Sequence, residues 1–223
     1  MAASDRSSPE RAYPIDAEGV WCEVKDGAAR GGPALFLDRD GVVIEDRDYV
    51  ARVEDVRLIE GAAAVIASAN RAHVPVVVVT NQSGIARGYY GWAEFDAVEK
   101  AVDTALAAAG ARIDAVYATP HLAGGALPYD HPDHPARKPN PGMLTRAARD
   151  LALDLKRSWL VGDKAGDLTA ARRAGLAGAV HVSTGHGTRE RTAAAALGES
   201  GFEVRLVSSI ADLGDLVATL ARR

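Results

Sequence analysis

The stretch ALFLDRDG, residues 34–41, decides the fold. Ala34–Leu37 is a short apolar run that stops at Asp38, and it reads as a buried strand. Working outward, Pro75–Val79 (PVVVV) is a β-branched run and reads the same way. So do Ile113–Ala118, Trp159–Val161, Ala179–Val182 and Glu203–Val207. Between them lie helical stretches: Gly61–Ala72, Trp92–Ala109, Pro141–Leu153, Asp167–Ala174 and Ile210–Leu220. Asn140 is a candidate cap for the third of these, and Gly175 closes the fourth. Strands that alternate with helices, and that are apolar without alternation, imply a parallel sheet covered on both faces. The expected architecture is an α/β three-layer sandwich around a doubly wound, mainly parallel sheet. Upstream, Gly19–Lys25 is a candidate short strand, residues 26–33 read as a flexible joint, and Met1 to about Glu10 reads as disordered. The expected division is an N-terminal arm, 1–33, partly disordered, and a main domain, 34–223.

Composition narrows the class. The chain has 223 residues, 48% hydrophobic and 25% charged, which suits one soluble globular domain. Its net charge of −4 argues against nucleic acid as a partner, because phosphate backbones need positive charge. The single cysteine, Cys22, excludes an intrachain disulfide and a four-cysteine zinc cage. No apolar run approaches the roughly 20 residues of a membrane span, and the N-terminus lacks a basic-then-apolar signal pattern. A cytoplasmic monomer without membrane or nucleic-acid partners is expected. Trp21, Trp92 and Trp159 read as packing residues, and Cys22 as a small buried hydrophobe.

Parallel sheets place ligands at the carboxyl ends of their strands, so the residues just after each apolar run carry the chemistry. They are Asp38 and Asp40 after the first, Thr80, Asn81 and Gln82 after the second, and Asp163 and Lys164 after a later one; Arg137 and Lys138 precede the helix at Pro141. Three carboxylates around one point repel one another unless a cation lies between them. An oxygen-only set with few protein ligands suits Mg2+, which keeps several waters and favours substrate phosphate. Arg137 and Lys138 can neutralise phosphate oxygens, and Thr80 with the amides near Asn81 can donate to them. The sum is a phosphoryl site bridged to Mg2+, in which Asp38 is the natural nucleophile.

The segments LFLDRDGVV (35–43), VVVVTNQSGIARG (76–88), RKPNPGM (137–143) and VGDKAGD (161–167) resemble the four motifs of the haloacid-dehalogenase superfamily of phosphatases. Within it the wording is similar to the D-glycero-D-manno-heptose 1,7-bisphosphate 7-phosphatases, with histidinol-phosphate phosphatase domains as near relatives. The resemblance covers about Leu35 to Leu220. It implies a Rossmann-like core, Asp38 as nucleophile and Asp40 as general acid and base. It implies Mg2+ held by the Asp38 side chain, the Asp40 main-chain carbonyl and Asp163. Thr80, Arg137 and Lys138 then stabilise the phosphoryl group. Asp46, Arg47, Asp48 and Tyr49, with Asn81, Gln82, Ser83 and Lys164, then contact a small phosphorylated sugar. For Asp167 two readings stand side by side, a metal contact or a residue that orients Lys138 and caps the next helix.

Two departures from the pattern matter. Val42 stands where the family usually has threonine. Many heptose phosphatases also carry a zinc loop with three cysteines; the corresponding residues here are Thr119, His121, His134 and Ala136. His121, His131 and His134 could gather a metal, but four prolines between 120 and 135 can stiffen the loop without one, so zinc is not expected. Spacing leaves no room for a large cap domain, so an open site roofed by loops is expected. An open site suits a sugar with a second phosphate, which Arg87, Arg137 or Lys164 could meet. The alternatives are a histidinol-phosphate or other small-molecule phosphatase, and a non-catalytic binder of a phosphorylated ligand.

Overall fold

Leu35, Phe36 and Leu37 are each fully buried, yet they serve two different cores. Successive strand side chains leave opposite faces of a sheet, so Leu35 and Leu37 pack into one layer and Phe36 into the other. The same split holds for Val76 and Val78 against Val77 and Val79. This is why the runs are apolar throughout rather than alternating.

A computed structural model describes residues 13–221; the segment expected to be disordered, up to about residue 10, lies outside them. The strands are β1 (Trp21–Val24), β2 (Leu35–Leu37), β3 (Val76–Asn81), β4 (Ala115–Thr119), β5 (Trp159–Gly162), β6 (Gly178–His181) and β7 (Glu203–Leu206). The helices are α1 (Ala62–Arg71), α2 (Ser83–Ala86), α3 (Trp92–Ala108), α4 (Gly142–Leu151), α5 (Ala165–Arg173), α6 (Gly187–Ala195) and α7 (Gly214–Leu220). One sheet runs in the order β1-β4-β3-β2-β5-β6-β7. Every neighbouring pair is parallel except β1 against β4. Helices α1, α3 and α7 cover one face, and α4, α5 and α6 the other. The α/β sandwich with a mainly parallel sheet is thus as expected, and no inserted cap domain interrupts the described residues.

The arm drawn at 1–33 needs correction. Trp21–Val24 is an edge strand of the main sheet, in register with Ala115–Ala118. Trp21 is buried, stacked on Trp92 at 5.7 Å and edge-on to Phe95 at 5.1 Å. Aromatic burial of this kind ties the segment to the domain. Smaller differences have local causes. Asn140 does not cap α4; its amide donates to Asp133 and to the carbonyl of His134. Helix α5 starts two residues early because Asp167, in its first turn, accepts from the Lys164 backbone N–H. Helix α6 was not expected at all. It buries only Gly187 and Ala194, too little for an apolar stripe.

Strand β2 is central, flanked by β3 and β5. The chain leaves β2 toward β3 on one side and later joins it through β5 on the other. That reversal opens a crevice at the carboxyl ends of β2, β3 and β5, where Asp38, Thr80 and Asp163 arrive from three distant segments.

Candidate active site

Asp38 follows β2 directly and is buried. Its Oδ1 accepts from the Arg39 backbone N–H at 2.8 Å and lies 3.0 Å from Lys138 Nζ. Both contacts fall on one oxygen, which leaves Oδ2 for chemistry. Burial raises the Asp38 pKa, but Lys138 and Lys164 outweigh it and hold the carboxyl below its ordinary value. Lys138 is buried too. Its ammonium meets Asp38 Oδ1, Asp167 Oδ1 at 2.6 Å and the Val79 carbonyl at 2.8 Å, one acceptor for each proton. Burial favours the neutral amine, yet Asp167 and Asp38 keep Lys138 charged.

Asp167 therefore has both of its oxygens in use, Oδ1 on Lys138 and Oδ2 on the N-terminus of α5. Of the two readings of this residue, the geometry supplies orientation and capping together.

Asp163 differs. It is fully buried, and its Oδ2 accepts from the His186 N–H at 2.7 Å. Its Oδ1 has no hydrogen-bond partner; the Lys164 ammonium stands 3.5 Å away. Burial first, then Asp38 and Asp167, raises its pKa to about 7. One carboxylate oxygen from each of Asp38, Asp163 and Asp167 lies within 4.8 Å of the others. A buried orphan oxygen in an acidic cluster fits a hard divalent cation. Side-chain approach is also blocked: a Cβ on Gly185 would lie 2.5 Å from Asp163 Oδ2, and one on Gly41 2.8 Å away. Both glycines have positive φ, +57° and +85°. With Asp167 engaged, Asp38 and Asp163 are the acidic side chains of this cluster that could hold a cation.

Asp40 lines a cavity of about 300 Å³ together with Asp46, Asp48, Tyr49, Asn81, Gln82, Ser83, Arg137 and Lys164. Arg47 lies outside it, paired with Glu45 at the surface, 2.8 Å apart. Gln82 touches the cavity but has its amide fully engaged within the protein. Its Oε1 accepts from Arg39 Nη2 and the Tyr90 hydroxyl, and its Nε2 donates to Asp40 and Thr80. Asn81 likewise clamps the Lys138 backbone through both amide atoms. These two act on the site's geometry more directly than on a ligand. The Thr80 hydroxyl accepts from Gln82 and keeps its own proton to donate. Arg137 donates to the His121 carbonyl at 2.7 Å; burial, then nearby Arg87, lowers its pKa.

The histidine loop is packed as rings. His121 and His134 stack face to face with centroids 3.6 Å apart. His121 Nδ1 meets Thr119 Oγ1, and His134 Nδ1 accepts from the Ala136 N–H. Burial, then His134 and His131, lowers the His121 pKa to about 4, so the stacked rings are neutral near pH 7.

Several site residues escaped sequence reasoning. Arg39 is buried between Asp40 and Glu99, and Tyr90 bonds Gln82. The available signal was Glu99, a charge on the apolar face of α3 formed by Phe95, Val98, Val102 and Leu106. His186, unlike these, stands in a loop after a strand end where the sequence leaves a substrate contact open beside a solvated loop, and it lines the cavity with its Nε2 3.1 Å from Asp46.

A family model described as "HAD-hyrolase-like" matches residues 135–213. The D-glycero-β-D-manno-heptose 1,7-bisphosphate 7-phosphatase of Mesorhizobium japonicum is 45% identical over 210 residues, covering 93% of this chain and 92% of its own length. A solved HAD-like structure from Mesorhizobium loti superposes with a TM-score of 0.83 at 44% identity, covering 94% of this chain and 97% of that one. The D,D-heptose 1,7-bisphosphate phosphatase of B. bronchiseptica, solved with magnesium and phosphate, has a TM-score of 0.71 at 34% identity, over 83% and 98% of the two chains. The chain therefore belongs to the heptose-bisphosphate phosphatase family of haloacid-dehalogenase-like hydrolases.

Proposed function

We propose that this phosphomonoester hydrolase removes the 7-phosphate of D-glycero-D-manno-heptose 1,7-bisphosphate through an aspartyl-phosphate on Asp38. The observation that carries the reading is the Asp38 carboxylate itself. It is held on one oxygen by Lys138 and the Arg39 N–H, and it stands beside the orphan oxygen of Asp163. Asp38 Oδ2 attacks phosphorus and the bond to the sugar oxygen breaks. Asp40, at the cavity wall, gives its proton to that departing oxygen. Asp40 then takes a proton from water, which attacks the aspartyl-phosphate and releases inorganic phosphate. The Lys138 ammonium and the Thr80 hydroxyl meet charge on the phosphoryl oxygens, where preorganised donors act most strongly. Mg2+, when bound, would supply further charge neutralisation toward the transferring phosphoryl group.

A second phosphate would meet the cations of the cavity. Arg137 and Lys164 line it, and Arg87 is close enough to Arg137 to shift its titration. Cations arranged in this way suit a substrate with an anionic group at each end. The test is phosphate release with Mg2+ from heptose 1,7-bisphosphate anomers, fructose 1,6-bisphosphate and histidinol phosphate. Turnover of the heptose bisphosphate should dominate, with the β anomer faster. Equal turnover of a monophosphate sugar would defeat the bisphosphate assignment. Preference for histidinol phosphate would move the chain to the neighbouring family.

A further inference from the structure

We propose that His186 is a specificity-determining residue: its imidazole and the Asp46 carboxylate form a wall that limits the catalytic cavity to phosphate esters of a single sugar. The inference rests on the phosphatase reading above. Asp46, Asp48 and His186 line the cavity of about 300 Å³ that contains Asp40. The same three residues line a neighbouring cavity of about 260 Å³, completed by Gly185, Thr188 and Arg189. They are therefore the partition between the two. One contact closes it, His186 Nε2 to Asp46 Oδ2 at 3.1 Å. A carboxylate only accepts, so Nε2 carries the proton. Both halves of the wall are fixed from behind. The His186 backbone N–H donates to Asp163 at 2.7 Å, and two residues earlier the Thr184 hydroxyl donates to the Gly41 carbonyl at 2.5 Å. Asp46 Oδ1 accepts from the Asp48 N–H at 3.1 Å, across a turn in which Asp48 and Tyr49 hold φ of +50° and +67°. Left-handed backbone is unfavourable for residues with a Cβ, and such strain concentrates at ligand sites.

A purely structural role explains less. The His186 side chain is 38% exposed, and a solvated pair of this kind adds little to stability. What the pair sets is shape. The inner cavity stands at the small end of ligand pockets, and opening the wall nearly doubles the space. Behind the wall, Thr188 and Arg189 offer donors to the hydroxyls of a second sugar.

The test separates cavity size from general damage. With Mg2+ present, kcat/KM is measured for glucose 6-phosphate and for trehalose 6-phosphate, whose second sugar extends beyond the inner cavity. Wild type, His186→Ala and His186→Gln are compared. His186→Ala should raise the ratio of the disaccharide ester to the monosaccharide ester ~10-fold or more, the scale on which a pocket wall discriminates. His186→Gln keeps a donor and most of the bulk in place, so its ratio should stay within about 3-fold of wild type. An unchanged ratio in His186→Ala, or an equal rise in His186→Gln, would overturn the proposal. Should His186→Ala fail to fold, Asp46→Ala opens the wall from its other half and decides by the same ratio. The ratio uses its own pair of esters, so a wild-type preference for histidinol phosphate would displace the reading beneath the proposal and leave this result standing.

Discussion

Asp38 can act because its surroundings keep it ionised while leaving one oxygen unbonded. Asp38→Asn should therefore reduce phosphate release at least ~1000-fold, with an unchanged circular dichroism spectrum, since an amide forms no acyl phosphate. Gly185 tests the close approach to Asp163. A Cβ there would lie 2.5 Å from a carboxylate oxygen on a backbone with φ +57°. Gly185→Ala should lower kcat/KM by about 10-fold or more and raise the Mg2+ concentration needed for half-maximal rate. At this scale much of the site was legible. Asp38, Thr80 and Asp163 each follow an apolar run, and a strand end is where a parallel sheet binds ligands. Lys138 was legible as a cation near the site but not in its exact place, because it sits on a loop whose position β3 and α5 fix. Arg39 and Glu99 were not legible, since 60 residues separate them and only the folded chain makes them partners. Arg47 lies outside the cavity lining although Asp46 and Asp48 on either side belong to it, since neighbours along a loop turn their side chains in different directions.

Among elements, β1 and the histidine loop carry the clearest consequences. Trp21 is 2% exposed, so Trp21→Ala should cost ~3–5 kcal/mol, read as a lower denaturation midpoint in urea. The histidine loop predicts a pH effect with a definite sign. His121 has its folded pKa lowered to about 4, against an ordinary 6.5. The unfolded chain then binds the proton first as pH falls, so folding stability is full above about 6.5 and declines toward 4. Thermal melts should show this fall, and His121→Gln should make the profile flatter between those values. Sequence patterns placed every strand to within a few residues, because β-branched runs between turns are unambiguous. Helix α6 was missed for the opposite reason: GTRERTAAA has almost no buried face, and its existence depends on the loop before it bonding Asp163.

Across the whole molecule, the sheet order brings Asp38 and the Asp163–Asp167 pair from two distant segments to one edge, and the function follows from that convergence. Dialysis against EDTA should abolish turnover, and Mg2+ should restore it without refolding. The topology was legible from strand and helix alternation, but the place of β1 was not, since an antiparallel edge strand breaks the pattern the other six set. That exception has a consequence for biogenesis. Trp21 faces Ala118 across the sheet, so β1 pairs with a strand made about 100 residues later, a long-range closure of the slow kind. Until then β1 is left without its partner strand, its backbone groups bare, and the nascent chain is at its most prone to self-association in that interval.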